Sequence, residues 1–214
     1  MSKLGFFFLA ASGVIGAFAD SPYEEQIGSI LQDVASEHRE VRQGATNRID
    51  ALIGAISNCE QIATCKLLKA KLRMECADIS GADSCYDPGA LADAENLCRS
   101  ALHDISDDRS KWQFYGASLL LPLPLSMDSK FDDMFSVATN ALASTSSLAA
   151  VSFETNAWHA LFGCPILTPN DGQTAFRTLA ASSLLLSDRN ADISAYTNGL
   201  SQAGLAALAG LLAH

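Results

Sequence analysis

Apolar side chains recur three and four residues apart through the first quarter of this chain. Ile27, Ile30, Leu31, Val34, Val41, Ala45, Ile49, Leu52, Ile53 and Ile56 form one such series. That is the period of an amphipathic helix, not the alternation of a strand. The spacing predicts one long helix from about Ser21 to Asn58, with Ser21 as N-cap and Pro22 in the first helical position. His38 interrupts the apolar stripe and Gly44 follows it, so either can mark a bend. Composition points the same way, because 34 Ala and 28 Leu against 5 Val favour helix over sheet.

The pattern continues beyond Asn58. Ile62, Leu67, Leu68, Leu72 and Met74 predict a helix from about Glu60 to Ala77, and residues 78–84 read as a loop. Asp87-Pro88 opens a third helix carrying Leu91, Leu97, Ala101, Leu102 and Ile105. Pro122 and Pro124 are expected to stop any helix between Trp112 and Met127. Asp128 then starts a helix bearing Phe131, Met134, Phe135, Ala138 and Leu142. Further helices are expected up to about Phe162, from about Gln173 to Leu186, and from Gly199 to Ala213.

The first nineteen residues carry an address. A short basic start, Met1-Ser-Lys3, precedes the apolar run Leu4 to Ala19, and Ala17-Phe18-Ala19 has the small-x-small pattern of a signal-peptidase site. The mature chain is expected to begin at Asp20 and to be secreted, or periplasmic if the source is bacterial. Small residues before an apolar tail outline a glycolipid-anchor signal, but the tail from Ala203 to Ala213 is short and Ala-rich, which argues against it. No run after the leader reaches the roughly 18–20 apolar residues a membrane span needs.

Export lets cysteines oxidise. Cys59, Cys65, Cys76, Cys85, Cys98 and Cys164 are even in number, and their spacing does not select a pairing. An antiparallel hairpin of the second and third helices would close on Cys76–Cys85 and set Cys65 level with Cys98, leaving Cys59 for Cys164. The alternative is Cys59–Cys65, Cys76–Cys85 and Cys98–Cys164. The expected fold is therefore all-α: a disulfide-stabilised helical bundle with a long N-terminal amphipathic helix followed by shorter ones.

Charge divides the chain. Residues 20–113 hold 27 charged side chains, whereas residues 114–214 hold only 10. The organisation read from this is a signal peptide (1–19), a charged disulfide-bonded helical region (20–113), a Leu/Pro-rich connection (114–127), and a charge-poor Ala/Leu/Ser-rich helical region (128–214). The formal net charge of −10 argues against a nucleic-acid partner, since phosphate contacts need Lys and Arg.

Motifs that carry chemistry are weak. There is no His-Glu-x-x-His, no Cys-x-x-Cys, no Gly-x-Ser-x-Gly and no phosphate-binding Gly loop. Asp188-Arg-Asn190-Ala-Asp192-Ile-Ser194 alternates oxygen ligands like a calcium loop, but Ile193 replaces the turn glycine and Gly199 the bidentate Glu. His103-Asp104 with Asp107 and Asp108 reads as a solvated turn. Trp158 and His159 read as core. No catalytic, cofactor-binding or metal-binding set is expected.

What remains is the charge-poor half and Leu119, Leu120, Leu121, Leu123 and Leu125, a leucine cluster broken by prolines. These five are the expected partner-binding residues. The function expected is that of a secreted, non-enzymatic structural or interaction protein. It would act through an apolar surface of its C-terminal half, on another protein or on itself. The alternative is a helical carrier of an apolar ligand such as a lipid.

Overall fold

A computed structural model describes residues 22–36, 38–77, 88–200 and 202–212. The expected leader, residues 1–19, and the expected mature start at Asp20 lie outside these residues. The described chain is all-helical, and its one β-type pairing is an isolated bridge between Lys111 and Ser152. Its α-helices are α1 (Pro22–Val34), α2 (Arg39–Ala55), α3 (Cys59–Ala77), α4 (Pro88–Asp104), α5 (Trp112–Leu120), α6 (Pro122–Met127), α7 (Phe131–Leu142), α8 (Thr155–Phe162), α9 (Pro169–Ser187), α10 (Ser194–Thr197) and α11 (Gln202–Leu212). A 3-10 helix, Thr145–Ala150, joins α7 to α8.

The single long N-terminal helix does not form. The chain breaks after Val34, and His38 adopts extended backbone ahead of α2. Arg42 Nη1 donates to Ser36 O at 2.6 Å, and Arg48 pairs with Asp33, so α2 folds back along α1. The reason is burial. A continuous helix over these residues would run about 57 Å, far beyond the core of a domain this size. Folded in two, both halves of the stripe meet one core: Ile27, Ile30 and Val34 from α1, and Ala45, Ile49 and Leu52 from α2.

Helix α3 lies at the centre and touches α2, α4, α5 and α8. The Asn58 side chain accepts from the amides of Glu60 and Gln61 and so caps it. Its buried residues Ala63, Leu67, Leu68, Ala70 and Leu72 point to more than one side, as a helix enclosed by several neighbours requires. Helices α3 and α4 run antiparallel: Lys66 pairs with Asp104, and seven residues on, Arg73 pairs with Asp93.

Among the described residues the expected disulfide framework is absent. Cys59, Cys65, Cys98 and Cys164 are all free thiols, Cys59 and Cys164 exposed, Cys65 and Cys98 buried. This removes Cys65–Cys98 and Cys59–Cys164, and the alternatives Cys59–Cys65 and Cys98–Cys164 with them. Matching height on two helices is insufficient, because a disulfide also needs Cβ atoms aimed at each other within about 4.5 Å. Within α3, Cys59 and Cys65 are separated by a rise of about 9 Å. The remaining pair, Cys76–Cys85, lies outside the described residues. The α3–α4 seam is closed by packing and ion pairs instead.

The prolines do not keep helix out of this segment either: α5 ends at Leu120 and α6 starts at Pro122. Leu121 keeps helical angles and its amide bonds Ala117 O at 2.9 Å, and α6 follows directly with Pro122 at its first position. Pro122 and Pro124 occupy the first turn, where amides have no intrahelical acceptor, so their missing N–H groups cost nothing there. Asp128 caps the end of α6, and the next helix begins at Phe131. Farther on, Thr168 and Asp171 form a reciprocal capping box that starts α9. Gly172 sits against Leu148 Cδ1, where a Cβ would collide, so the 3-10 turn packs close on α9.

One apolar core runs from Tyr23 to Phe176, through both the charged and the charge-poor part of the chain. Trp158 is fully buried in it, its ring against Trp112, Phe153 and Phe162 and its Nε1 donating to Pro165 O at 3.0 Å. His159, on the other side of α8, is exposed. A second, small cluster consists of Ala181, Leu185 and Leu208, with Ile193, Tyr196 and Leu200 packed on it.

Candidate interaction surface

The leucine cluster is mostly core. Leu120, Leu121 and Leu125 are buried and Leu119 is half-buried, while Leu123 is 51% exposed. Leu123 shares its outward side of α6 with Met127, one turn later and 50% exposed. Sequence alone missed Met127. The signal was present, since Leu123 and Met127 are four apart once the segment is known to be helical.

A broader apolar surface lies at the C-terminal end. Helix α11 has no charged residue, and packs its Gly204 and Leu208 against α9. Its opposite side shows Leu205 (47% exposed), Ala206 and Ala209 to solvent, and α9 adds an exposed Leu186. Because Gly204 sits over Thr178 and Leu208 over Ala181 and Leu185, α11 runs parallel to α9. The connection between them is fixed by Arg177, whose Nη1 donates to Asn198 O. Tyr196 of α10 stands edge-on to Phe135 of α7 and ties this layer to the rest. From Pro169 to the C-terminus the only charged side chains are Asp171, Arg177, Asp188, Arg189 and Asp192.

The calcium-like loop between α9 and α10 spends its oxygens locally. Asp188 Oδ1 accepts from the Asn190 amide and Asp192 Oδ1 from the Ser194 amide, both at 2.9 Å. Among the described residues no group of three or more His, Cys, Asp or Glu is arranged to hold a metal, and no helix is long and apolar enough to cross a membrane.

Two buried polar clusters join the early helices to the later ones, and sequence alone found neither. At the first, Tyr23 Oη of α1 donates to Glu154 at the start of α8, 2.7 Å from Oε1 and 2.9 Å from Oε2. Burial raises the Glu154 carboxyl above the usual range, outweighing the Tyr23 hydrogen bond, with Glu24 adding repulsion. Burial likewise raises the Tyr23 hydroxyl. Nearby, Gln113 Nε2 donates to Glu60 O and Thr64 Oγ1. At the second, Glu95 of α4 accepts from Arg99 Nε at 2.8 Å and from Lys130 Nζ at 2.7 Å. Burial pushes Glu95 up, but the hydrogen bonds from Lys130 and Arg99 prevail and hold it below the ordinary carboxylate range.

The buried thiols are chemically quiet. Burial pushes Cys65 up to about 12, with the Glu154 charge adding to it. Burial likewise pushes Cys98 up to about 12, with Glu95 adding and Arg99 opposing. A thiol held in that range is protonated at neutral pH and is a poor nucleophile.

No family model, curated protein or solved structure matches the chain. Its surface is therefore read from its own residues.

Proposed function

We propose that this chain is an exported, non-enzymatic interaction protein that associates with a second copy of itself through the apolar layer of α9 and α11. The observation that carries the reading is α11. It is an apolar helix that buries Gly204 and Leu208 while Leu205, Ala206 and Ala209 face outward. Exposed apolar surface of this kind gains free energy by being covered. A net charge of −10 sets two copies repelling each other at large, but α11 carries no charge and brings no like charges into contact. The basic start and apolar run of residues 1–19 support export.

Helix α11 is only about 16 Å long, so the interface falls at or below the low end of specific contacts, about 1,200 Å2. The association expected is weak and concentration-dependent. Sedimentation velocity over a hundredfold concentration range tests it. Growth of a dimer with concentration, lost in Leu205→Glu, is the expected result. A strict monomer that leaves a hydrophobic dye dark overturns the reading. A strict monomer that lights the dye moves the partner to a different protein.

A further inference from the structure

Helix α3 carries Lys66, Lys69 and Arg73 at positions i, i+3 and i+7, which places three cations on the side facing α4. Across from them, Asp93, Asn96, Leu97 and Ser100 lie on one side of α4. Lys69, Arg73 and these four residues line an open groove of about 350 Å3. In a strongly acidic chain, the groove's own side chains contribute two positive charges and one negative.

The three cations are not equally engaged. Lys66 is held tightly, 2.5 Å from Asp104 and 2.8 Å from Ser100 Oγ, with both charged side chains largely covered. Lys69 reaches Asp50, outside the groove, at 2.5 Å. Arg73 has the poorest partner: its Nη2 lies 3.3 Å from an Asp93 carboxylate that is more than half exposed. Its Nε is buried with no hydrogen-bond acceptor among the described residues. A guanidinium offers five N–H donors in a planar fork, and this one turns its Nη2 toward Asp93, the carboxylate that lines the groove.

We propose that this groove is a binding site for a small oxyanion of the phosphate class, gripped by the outer edge of the Arg73 fork. Lys69, held by Asp50 outside the groove, supplies a second charge only by giving up that partner, and Ser100 Oγ and the Asn96 amide supply neutral donors from α4. Asp93 is the built-in competitor. It occupies Arg73 when the groove is empty and swings to solvent when an anion arrives. Such an exchange is cheap because a half-exposed ion pair contributes little, whereas a bidentate phosphate on arginine is a strong, charge-assisted contact. The groove is open and large enough to admit a free phosphate or a small phosphomonoester.

The test is amide chemical-shift titration of the purified protein with inorganic phosphate against chloride at constant ionic strength. Saturable shifts at Asn96, Ser100 and the neighbouring turns of α3 and α4 are expected. Arg73→Gln should abolish them, and Arg73→Lys, which keeps the charge and loses the fork, should weaken binding several-fold. Asp93→Asn should tighten binding about two- to five-fold by removing the competitor. Shifts that rise linearly without saturating, or that persist in Arg73→Gln, overturn the proposal. So does an Asp93→Asn protein that binds phosphate no tighter than the parent, a result that stands even if Arg73→Gln fails to fold.

Discussion

The α3–α4 seam and the α9–α11 seam are both made by two helices packing along their lengths, yet they are finished differently. Between α3 and α4 an apolar centre of Leu68, Ala94, Cys98 and Ala101 is edged by the pairs Lys66–Asp104 and Arg73–Asp93. Between α9 and α11 the centre is Ala181, Leu185 and Leu208, and no ion pair edges it among the described residues. The first seam therefore ends in groups that water solvates well. The second ends in Leu186, Leu205, Ala206 and Ala209, where added apolar cover is still favourable. Charge placed around a helix pair completes it. Withholding charge leaves an edge on which another surface can build.

The sharpest way to break this contrast is to compare core deletions in the two regions. Trp158→Ala, in the main core, should cost about 3–5 kcal/mol in urea unfolding. Leu208→Ala should cost no more than about 2 kcal/mol and show itself as faster amide exchange confined to α11, because a three-residue cluster opens locally before the whole protein unfolds. Equal costs would mean that the α9–α11 layer is as integral as the main core. Next in size is Tyr23→Phe, which strips the Glu154 carboxylate of its donor and should cost about 1.5–3 kcal/mol.

The two buried carboxylates then sharpen the comparison through pH. Folded Glu154 titrates above its unfolded value, so the folded chain retains a proton the unfolded chain has lost. Its contribution is present in acid and is lost as pH rises through the folded pKa. Glu95 is held low between Arg99 and Lys130, so its contribution is present above the unfolded carboxylate pKa and is lost as pH falls through the folded one. Glu154→Gln should remove a falling limb from the stability–pH profile, and Glu95→Gln a rising one. Two variants that tilt the profile the same way would refute the assignment. The smallest effect on folding belongs to Leu205→Glu, expected within about 0.5 kcal/mol of the parent in monomer stability.

Much of the helical layout was legible from periodicity and caps. The start of α4 follows from Pro88, whereas α9 begins at Pro169, about a turn before the expected Gln173, because Thr168 and Asp171 cap it. The break at His38 was visible as an interruption, but not its consequence, because folding back depends on where the common core lies. The prolines misled because position within the turn decides their effect, and no periodic pattern shows that Pro122 and Pro124 fall in the first turn. The cysteines misled because an even count in a chain expected to be exported describes opportunity, whereas a bridge needs two aligned Cβ vectors.

The surface was legible only in outline. The scarcity of charge after residue 113 pointed to the C-terminal half, but the leucines chosen from sequence were mainly those that the core consumes. Tyr23 and Glu154, 131 residues apart, and Lys130 and Glu95, 35 apart, gave no local signal at all.

From its sequence alone, this protein is all-helical, acidic and uneven in charge, because helix period, Ala and Leu content and charge are properties of short stretches read independently. Which apolar residues are spent in the core and which are left to face outward, which carboxylate is held up and which is held down, and which cation lacks a good partner were decided by tertiary structure. Each depends on what a distant segment brings within a few ångströms, and that distance is set by the packing of the whole chain.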